Sequence, residues 1–334
     1  KWRDERSESF LSDHQGRASH ARAELALDAA GKFLAVRVTT HADMGGYLTA
    51  VAANPQTGNI VKNVTSLYQV PLLEVITKCV FTTTTPTGPY RGAGRPEANY
   101  YMERLIDTAA RELKIDAIEL RRRNAIPAAA IPYKAASGLT YDSGDFPTII
   151  DRTLAAADWD GFADRAAASR AKGLLRGRGF CSYLEVTGPP APEMGGLRFD
   201  EDGGVTIVTG TLDYGQGHLT PFAQLLSSRL GVPVDKVRLL QGDSDQLIAG
   251  GGTGGSKSAI TSGGAIAEVA DAVIEKGRQA AAHVLEAAVA DIEFDNGKFE
   301  IAGTDRRVAL LDLAATLRTR ADLPADVPTS LDTE

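Results

Sequence analysis

Apolar and polar positions alternate along two early segments of the chain. In residues 23–40, Leu25, Leu27 and Phe33 belong to the apolar set, and a polar turn at residues 28–31 interrupts it. A period of two residues places one set of side chains on one face of a strand, so this segment predicts a β-hairpin. Residues 75–85 form a similar run before Pro86, and we predict a further strand there.

The period changes after Pro96. Apolar residues then recur at intervals of three and four, which is typical of a helix that begins near Pro96 and ends near Lys114. Asp116 and Glu119 have the spacing of a capping box, so a short helix is predicted to start there. This helix is expected to end before residue 127, where proline stands.

The middle of the chain has a different composition. Residues 128–171 are rich in alanine and carry Pro132 and Pro147, and we predict one helix there, at about residues 147–168. We interpret residues 128–172 as a helical connector. The chain is then predicted to consist of a first domain at residues 1–127, this connector, and a second domain at residues 173–334.

The second domain also mixes the two periods. A polar turn at residues 201–204 lies between two apolar runs, and residues 237–241 form another strand-like run. One helical pattern ends at Gly231, a longer one extends to Leu285, residues 295–297 mark a hairpin turn, and residues 308–317 predict a last helix. We therefore predict an α+β fold of two mixed α/β domains, in which strand hairpins pack against helices.

Three glycine-rich loops each lie between a predicted strand and a predicted helix start. A helix start presents unpaired N–H groups and the positive end of the helix dipole, and glycine lets a phosphate approach the backbone. One such loop is usually only a turn, whereas three in one chain indicate a large ligand with several anionic or polar groups, such as a dinucleotide. The loops are Tyr90-Arg91-Gly92-Ala93-Gly94-Arg95, Gly215-Gln216-Gly217-His218 and residues 250–258.

Two common nucleotide-binding motifs do not fit these loops. Gly250 and Gly255 have the spacing of P-loop glycines, but Ser256 separates the second glycine from Lys257. The Rossmann fingerprint would require a glycine where Glu97 stands. Neither phosphoryl transfer from ATP nor a Rossmann-type NAD site is therefore predicted.

Composition and charge narrow the classes of function. The formal net charge of −7 and the pI near 5.4 argue against a nucleic-acid surface, and no apolar run is long enough for a membrane span. The two cysteines, Cys79 and Cys181, are too few for a disulfide framework, and free thiols are expected in a reducing cytoplasm. Cys79 is expected to be buried in its strand. Because no cluster has metal-ligand spacing, we expect no side chain to bind a metal.

Several segments of the chain occur together in one known family. Residues 90–98 are similar to its active-site loop and following helix, and residues 119–124 continue the match. Residues 215–218 and 252–258 are similar to its pterin and dinucleotide loops, and residues 1–6 with 14–17 to a further motif. Together these segments resemble the molybdopterin-binding (large) subunit of the xanthine dehydrogenase, aldehyde oxidase and carbon monoxide dehydrogenase family.

The resemblance implies a hydroxylase that inserts oxygen from water into a C–H bond of an aldehyde or an N-heterocycle. It implies molybdenum held by molybdopterin, in the cytosine dinucleotide form, with Arg91, Gly92 and Ala93 in the active-site loop. Electrons would pass to an iron–sulfur subunit and an FAD subunit, in a dimer of heterotrimers. The implied cofactor-binding residues are Gly215, Gln216, Gly217, His218, Thr253, Gly254, Gly255, Ser256 and Ser258.

Two departures from the family pattern limit these expectations. Members that oxidise carbon monoxide carry a cysteine in the active-site loop, where this chain has Gly92-Ala93-Gly94, so a copper–molybdenum centre is not expected. The match also covers only the middle of the subunit, without the downstream glutamate that serves as general base. The chain alone is therefore expected to be inactive. Glu185 and Glu193 are candidates for a replacement base, although both are more simply explained as surface carboxylates.

Two other classes of function remain open at this point. One is a non-catalytic homologue that acts as a binding or assembly partner, and the other is a nucleotide- or anion-binding protein with similar loops. Single residues also have structural explanations: Arg91 and Arg95 could pair with Glu97 or with helix carbonyls, and His218 could cap its helix. Gln216 has no packing or helical role that the sequence reveals.

Overall fold

The computed structural model describes residues 3–185, 188, 192–247, 249–320 and 323–334. The contacts between residues divide the chain into two compact units, Lys1–Val186 and Thr187–Glu334. Each unit has a hydrophobic core of its own. In the described part of the chain, no helix has the length and apolar character that a membrane crossing requires.

The first unit contains a three-stranded sheet in the order β1-β2-β3, with β1 and β2 antiparallel and β3 parallel to β2. The predicted hairpin is confirmed, and the Asp28 carboxylate stabilises its turn by accepting the N–H groups of Ala30 and Lys32 at 2.9 and 2.8 Å. The predicted strand at residues 75–85 lies earlier, because Thr82 and Thr84 bind the Asp43 carboxylate and turn the chain away. The strands are β1 (Ser19–Leu27), β2 (Phe33–Asp43) and β3 (Leu72–Val80).

A long helix, α4, packs against this sheet and ends where the sequence predicted. Gly94 and Lys114, both in left-handed conformations, flank it. Asp116 accepts the N–H groups at the start of α5, but Glu119 binds Arg123 and does not complete the predicted capping box. The helices are α1 (Arg6–Ser12), α2 (Ala53–Gln56), α3 (Gly58–Asn63), α4 (Arg95–Leu113) and α5 (Ala117–Asn124).

The predicted connector contains two helices, so the prediction of a single helix is wrong. Between the two helices, Asp158 adopts a left-handed conformation, and its carboxylate pairs with Arg165. This turn at Asp158 separates α6 from α7. The apolar face of α6 belongs to the core of the first unit. The boundaries near residues 127 and 172 stay a prediction. The elements here are β4 (Tyr133–Lys134), β5 (Thr140–Tyr141), α6 (Phe146–Ala156) and α7 (Phe162–Arg170).

The second unit has two small sheets, in the orders β6-β7-β8 and β11-β10-β9, with α8 and α9 packed in its core. Both predicted hairpins are confirmed, and β8 runs parallel to β7. The predicted helix at residues 308–317 begins later, because Arg307–Ala309 pairs with β10. The elements are β6 (Gly195–Phe199), β7 (Val205–Thr209), α8 (Leu219–Leu230), β8 (Val237–Leu240), α9 (Ser258–Leu285), β9 (Ile292–Asp295), β10 (Lys298–Ile301), β11 (Arg307–Ala309) and α10 (Leu310–Thr319).

Candidate functional site

Two of the three predicted loops meet in the second unit, where they lead into α8 and α9. The Thr211 hydroxyl hydrogen-bonds the Thr253 hydroxyl and lies 3.3 Å from the Ser258 hydroxyl. The Leu212 N–H donates to the Thr253 hydroxyl at 3.1 Å. These contacts join the loop after β7 to the loop after β8, so the two helix starts border one site.

Asp213 determines the conformation of the first of these loops. Its carboxylate accepts the N–H groups of Gly215 at 2.6 Å, Gly217 at 3.2 Å and His218 at 2.7 Å. The hydrogen bonds from the backbone, with the one from His218 the strongest, lower the pKa of Asp213. A carboxylate that is stabilised in its ionised form is a poor proton acceptor, so Asp213 is a structural group of the loop rather than a base.

Gln216 has a structural task that the sequence did not reveal. Its Oε1 accepts the N–H of Tyr214, and its Nε2 lies 3.5 Å from the carbonyl oxygen of Leu212. The side chain therefore folds back on its own loop while remaining exposed. It fixes the shape of the backbone that borders the site.

His218 is buried, and its side chain makes no capping hydrogen bond to α8, while the Asp213 carboxylate accepts its backbone N–H. The ring packs against Phe222 with the ring centroids 5.2 Å apart. Its Nδ1 lies 3.4 Å from the Nε2 of Gln241. His218 is thus held between α8 and the end of β8.

Open space lies beside four glycines of the two loops, whereas a Cβ atom on Gly250 would lie 2.9 Å from the carbonyl oxygen of Gly210. A Cβ atom added to Gly215, Gly217, Gly254 or Gly255 would meet no heavy atom within 4 Å. Three of the four have φ angles of +106°, +78° and +70°, and only Gly254 lies outside the left-handed region. The adjoining cavity of about 530 Å³ has a largely apolar surface, to which Pro221, Phe222 and Leu225 contribute, and its polar lining residues are Gln216, His218, Thr253, Ser256, Lys257 and Ser258.

These features fit a pterin dinucleotide. Hydroxyl and amide groups can bind its polar edges, the start of α9 favours phosphate, and the bare backbone admits close approach. Among the described residues, no group of three or more His, Cys, Asp or Glu side chains could hold a metal ion.

The third predicted loop, at residues 90–95, lies in the first unit and is tightly packed. A Cβ atom on Gly94 would lie 1.7 Å from the carbonyl oxygen of Pro55, and one on Gly92 would lie 2.5 Å from Pro96. The Ala93 carbonyl accepts the Nδ2 of Asn59 at 2.8 Å. Arg17 donates to the carbonyl of Arg91. The loop Arg91-Gly92-Ala93 is therefore fixed by its neighbours.

The ion pairs beside this loop differ from those expected. Glu97 pairs with Arg17 at 2.9 Å, whereas Arg95 lies 3.3 Å from Glu185 and donates to the carbonyl of Gly92 at 3.3 Å. The Arg91 side chain is exposed. The alternative that Arg91 or Arg95 pairs with Glu97 is wrong, because Arg17 reaches that carboxylate from the segment before β1.

Glu193, the second candidate for a replacement base, is also held by local contacts. The Oε1 of Glu193 accepts the N–H of Met194 at 3.0 Å. The same oxygen would lie 2.6 Å from a Cβ atom on Gly210, so the carboxylate lies against the end of β7. Like Glu185 in its ion pair, Glu193 has a local structural partner.

A buried polar cluster anchors α4, and the sequence did not predict it. Arg121 is completely buried and donates to Glu103 at 2.7 and 2.9 Å and to Asp107 at 2.9 Å, while the Tyr68 hydroxyl donates to Glu103 at 2.5 Å. Burial raises the pKa of Glu103 and raises that of Tyr68 well above 10. The sequence indicated this cluster only through Glu103, a charged residue that lies within the apolar stripe of α4 next to Met102.

Cys79 is exposed, so the prediction of a buried thiol is wrong. It lies in β3, which pairs with β2 on one side and has no neighbour on its other side among the described strands. Cys181 is also exposed. Burial of its surroundings raises the pKa of the Cys181 thiol, which keeps the thiol protonated near neutral pH.

The chain matches a known domain family in two places. The family described as the molybdopterin cofactor-binding domain matches residues 1–125 and residues 152–329. The gamma subunit of the 6-hydroxypseudooxynicotine dehydrogenase complex of Paenarthrobacter nicotinovorans is 32% identical, over 94% of this chain and 40% of its own length. The carbon monoxide dehydrogenase large chain of Hydrogenophaga pseudoflava is 31% identical, over 92% of this chain and 40% of its own.

A solved structure has the same fold over nearly the whole chain. The quinoline 2-oxidoreductase of Pseudomonas putida 86 is 30% identical, with a TM-score of 0.84, over 99% of this chain and 44% of that one. The chain thus spans less than half the length of the relatives that it matches. It belongs to the molybdopterin-binding subunits of the molybdenum hydroxylase family, which includes carbon monoxide and xanthine dehydrogenases.

Proposed function

We propose that this chain supplies the cofactor-binding part of a hydroxylase that inserts oxygen from water into a C–H bond of an aldehyde or an N-heterocycle. The observation that carries the proposal is the meeting of two glycine-rich loops at the starts of α8 and α9, beside open space. Relatives named for nicotine and quinoline compounds support the N-heterocycle. The absence of a cysteine from Gly92-Ala93-Gly94 argues against carbon monoxide.

The residues of the second unit are proposed to bind and orient the cofactor. Thr253, Ser256 and Ser258 offer hydroxyl groups for its phosphates and polar edges. Gly215, Gly217, Gly254 and Gly255 leave room for its approach, and Gln216 with His218 keeps the first loop in shape. The active-site loop Arg91-Gly92-Ala93 is proposed to border the substrate, since its packing fixes the loop in one conformation.

Hydroxylation of a C–H bond by water releases two electrons and two protons. When bound, the molybdenum cofactor accepts the two electrons. A base must accept a proton from the attacking water, and neither Asp213, Glu185 nor Glu193 is free for that role. The resemblance to the family implies a general base outside these 334 residues, and on that basis we expect the isolated chain to be inactive and to hold less than stoichiometric cofactor.

The resemblance to the family extends the proposal to its partners. The cofactor is proposed to be the cytosine dinucleotide form of molybdopterin. An iron–sulfur subunit and an FAD subunit are proposed as electron acceptors, in a dimer of heterotrimers in the cytoplasm. The relatives named as a gamma subunit and as large chains of complexes support the presence of partner subunits.

The test is a pair of glycine substitutions in the complete subunit, produced with its partners. Gly254→Val places a side chain in the proposed phosphate approach without a clash and outside the left-handed region, so the fold should tolerate it. Gly177→Val is the control, because this residue also has open space and no positive φ. Molybdenum and acid-released nucleotide per subunit should fall at least tenfold in Gly254→Val alone, on the order of the 1–3 kcal/mol lost with unpaired polar groups.

Normal cofactor content in Gly254→Val would show that this loop does not contribute to cofactor binding. Binding of an ordinary nucleotide without molybdenum would favour the alternative of a nucleotide-binding homologue. Normal cofactor content without turnover of any aldehyde or N-heterocycle would favour the non-catalytic alternative.

A further inference from the structure

Arg17 lies in the short segment between α1 and β1, and its backbone is fixed on both sides. The N–H and the carbonyl of Gln15 bond to the backbone of Pro86 and of Gly88 at 2.9 and 2.8 Å. The carbonyl of Ala18 accepts an N–H from the end of β2 at 3.0 Å. Arg17 itself has a φ of +64°, which is uncommon for a residue with a side chain. Residues keep such a conformation where the surrounding structure imposes it, and they cluster at functional sites.

The guanidinium group of Arg17 contacts three groups around the loop proposed as the active-site loop. It donates to the carbonyl of Arg91 and pairs with Glu97 at 2.9 Å. It also lies 5.2 Å from the centroid of the Tyr90 ring, within the range of a cation–π contact. Because the donors of a guanidinium are fixed in one plane, these contacts orient the loop relative to the start of α4.

The carbonyl of Arg91 is the first of three consecutive carbonyls that accept a hydrogen bond from a side chain. The Gly92 carbonyl accepts one from Arg95 at 3.3 Å, and the Ala93 carbonyl accepts one from Asn59 at 2.8 Å. The φ angles of Gly92 and Ala93 are +83° and +46°, so the backbone is strained at the alanine. Side-chain donors outside this stretch therefore hold a conformation that the stretch would not easily adopt by itself.

Arg17 differs from the other two donors in its exposure. Its side chain is 34% exposed, whereas that of Arg95 is 12% exposed and Asn59 is 6% exposed. Replacement of Arg17 therefore leaves no cavity in the core, and a small cation can reach the vacated position from solvent. The effect of Arg17 on the loop can thus be separated from an effect on the fold.

We propose that Arg17 is a positioning residue for the hydroxylase: by holding the carbonyl of Arg91, it sets the direction in which the loop presents the Arg91 side chain to the substrate. The proposal rests on the function proposed above and adds to it a residue outside the loop. Arg17 is assigned no contact with substrate or cofactor, so its loss should lower turnover and leave the cofactor content unchanged.

The first test is Arg17→Lys in the complete subunit with its partners, assayed with quinoline and with benzaldehyde. Lysine keeps the positive charge but cannot bond to Arg91 and Glu97 with one planar group. We expect kcat to fall by about tenfold to a hundredfold, since a misplacement of about 1 Å can cost a factor of about 100. KM should change by less than about twofold, and molybdenum per subunit should stay the same.

Arg17→Ala tests whether the guanidinium group itself is needed. Guanidinium ions, added far below the concentrations that unfold proteins, should raise kcat of this variant by about fivefold, the factor that a typical net hydrogen bond contributes. Ammonium ions at the same concentration are the control. They should not restore turnover, because an ammonium ion lacks the planar arrangement of donors.

Hydrogen exchange in the complete subunit gives a measurement that does not depend on turnover. The N–H groups of Ala93 and Arg95 bond to carbonyls within the loop at 2.6 and 3.1 Å. In Arg17→Ala they should exchange at least about fivefold faster, because the loop opens more often, while the amides of the later turns of α4 keep their rates. Arg22→Ala is the matched control, since Arg22 is exposed in the same unit and pairs with Glu24 on its own strand. Neither turnover nor exchange should change in this control.

Unchanged kcat in Arg17→Lys would overturn the proposal. A fall in molybdenum content that matches the fall in kcat would also overturn it, because Arg17 would then act through cofactor binding. Faster exchange throughout α4 would do the same, because it would indicate a general loss of stability. Absence of turnover in the unsubstituted subunit, or normal loading in Gly254→Val, would count against the proposed function instead, and the exchange of the loop amides would still decide whether Arg17 holds the loop.

Discussion

The two regions that carry the glycine-rich loops use glycine in opposite ways. In the first unit, Gly92 and Gly94 are surrounded, and a Cβ atom on either would lie within 2.5 Å of Pro96 or Pro55. In the second unit, Gly215 and Gly254 border open space on the side where a Cβ atom would project. The first loop needs glycine so that the protein can pack against it, whereas the second set leaves room in which the proposed cofactor could approach the backbone.

This difference separates a loop that is fixed by packing from the loops that we propose to bind the cofactor. The packed loop has no further room, so its contribution to chemistry must come from the groups that it presents at fixed places, such as the side chain of Arg91. The open loops present N–H groups, hydroxyl groups and two helix starts to one cavity. Substitutions should therefore affect stability in the first region and ligand binding in the second.

The largest effect is expected for Gly94→Ala. The added Cβ atom would lie 1.7 Å from the Pro55 carbonyl oxygen, and φ is +91°. Overpacking and backbone strain together should lower the free energy of unfolding of the first unit by about 3 kcal/mol. Trp159 belongs to this unit and the second unit contains no tryptophan, so urea unfolding followed by tryptophan fluorescence reports on the first unit.

Gly177→Ala is the control for this measurement, because that residue has open space and no positive φ. It should change the unfolding free energy by less than about 0.5 kcal/mol. If Gly94→Ala were as stable as Gly177→Ala, the contrast between packed and open loops would be wrong.

A second prediction concerns the buried cluster behind the packed loop. The pKa of Tyr68 in the folded chain lies well above 10, because burial and the Glu103 carboxylate oppose its ionisation. Above pH 10 the unfolded chain loses this proton while the folded chain keeps it, so the folded state loses stability as the pH rises. The expected loss is about 1.4 kcal/mol per pH unit until the folded pKa is reached.

Tyr68→Phe should remove this part of the pH dependence. Urea unfolding between pH 9 and pH 11 should show a weaker pH dependence than in the unsubstituted chain, with a difference in slope that averages about half a proton and approaches one proton toward pH 11. The other tyrosines with raised pKa values, Tyr101, Tyr133 and Tyr141, are present in both proteins and cancel in the comparison. Equal slopes would show that Tyr68 ionises as easily when folded as when unfolded.

The sequence predicted the local parts of both regions. The turn at Asp28 and the start of α5 at Asp116 follow from short-range hydrogen bonds between a carboxylate and nearby N–H groups. The loops were recognised because glycine, polar side chains and a helix start are adjacent in the chain. The α+β class followed from the two periods, since each face of a strand or helix must be buried.

The long-range parts could not be predicted from the sequence. Thr211 and Thr253 are 42 positions apart, and nothing in either loop indicates that their hydroxyl groups meet. Arg121 lies in the predicted helix after Asp116, but nothing in the sequence indicates that it pairs with Glu103, which lies on another helix. Alternation in β3 gives the period of a strand without showing that the strand lies at a sheet edge, which is why Cys79 was wrongly expected to be buried.

A smaller effect is expected in the open loops for Gly215→Ala. Here φ is +106°, but the added Cβ atom would meet no heavy atom within 4 Å. The cost should be that of the backbone conformation alone, about 1–2 kcal/mol in the second unit. Hydrogen exchange of the amides of α8 measures it, with Gly254→Ala as the control without a positive φ. A loss as large as that of Gly94→Ala would mean that this loop is packed as well.

The smallest effect on stability, with a separate effect on binding, is expected for Gln216→Ala. The Gln216 side chain is exposed and bonds only within its own loop, to the N–H of Tyr214 and toward the carbonyl of Leu212, so water can replace it at a cost below about 0.5 kcal/mol. In the complete subunit the loosened loop should nevertheless lower molybdenum content or turnover. Gln246→Ala is the matched control, since Gln246 is exposed in the same unit and binds Asp243 within another loop. A large loss of stability with normal molybdenum content would make Gln216 a residue of the fold and leave the open loops without evidence of a binding role.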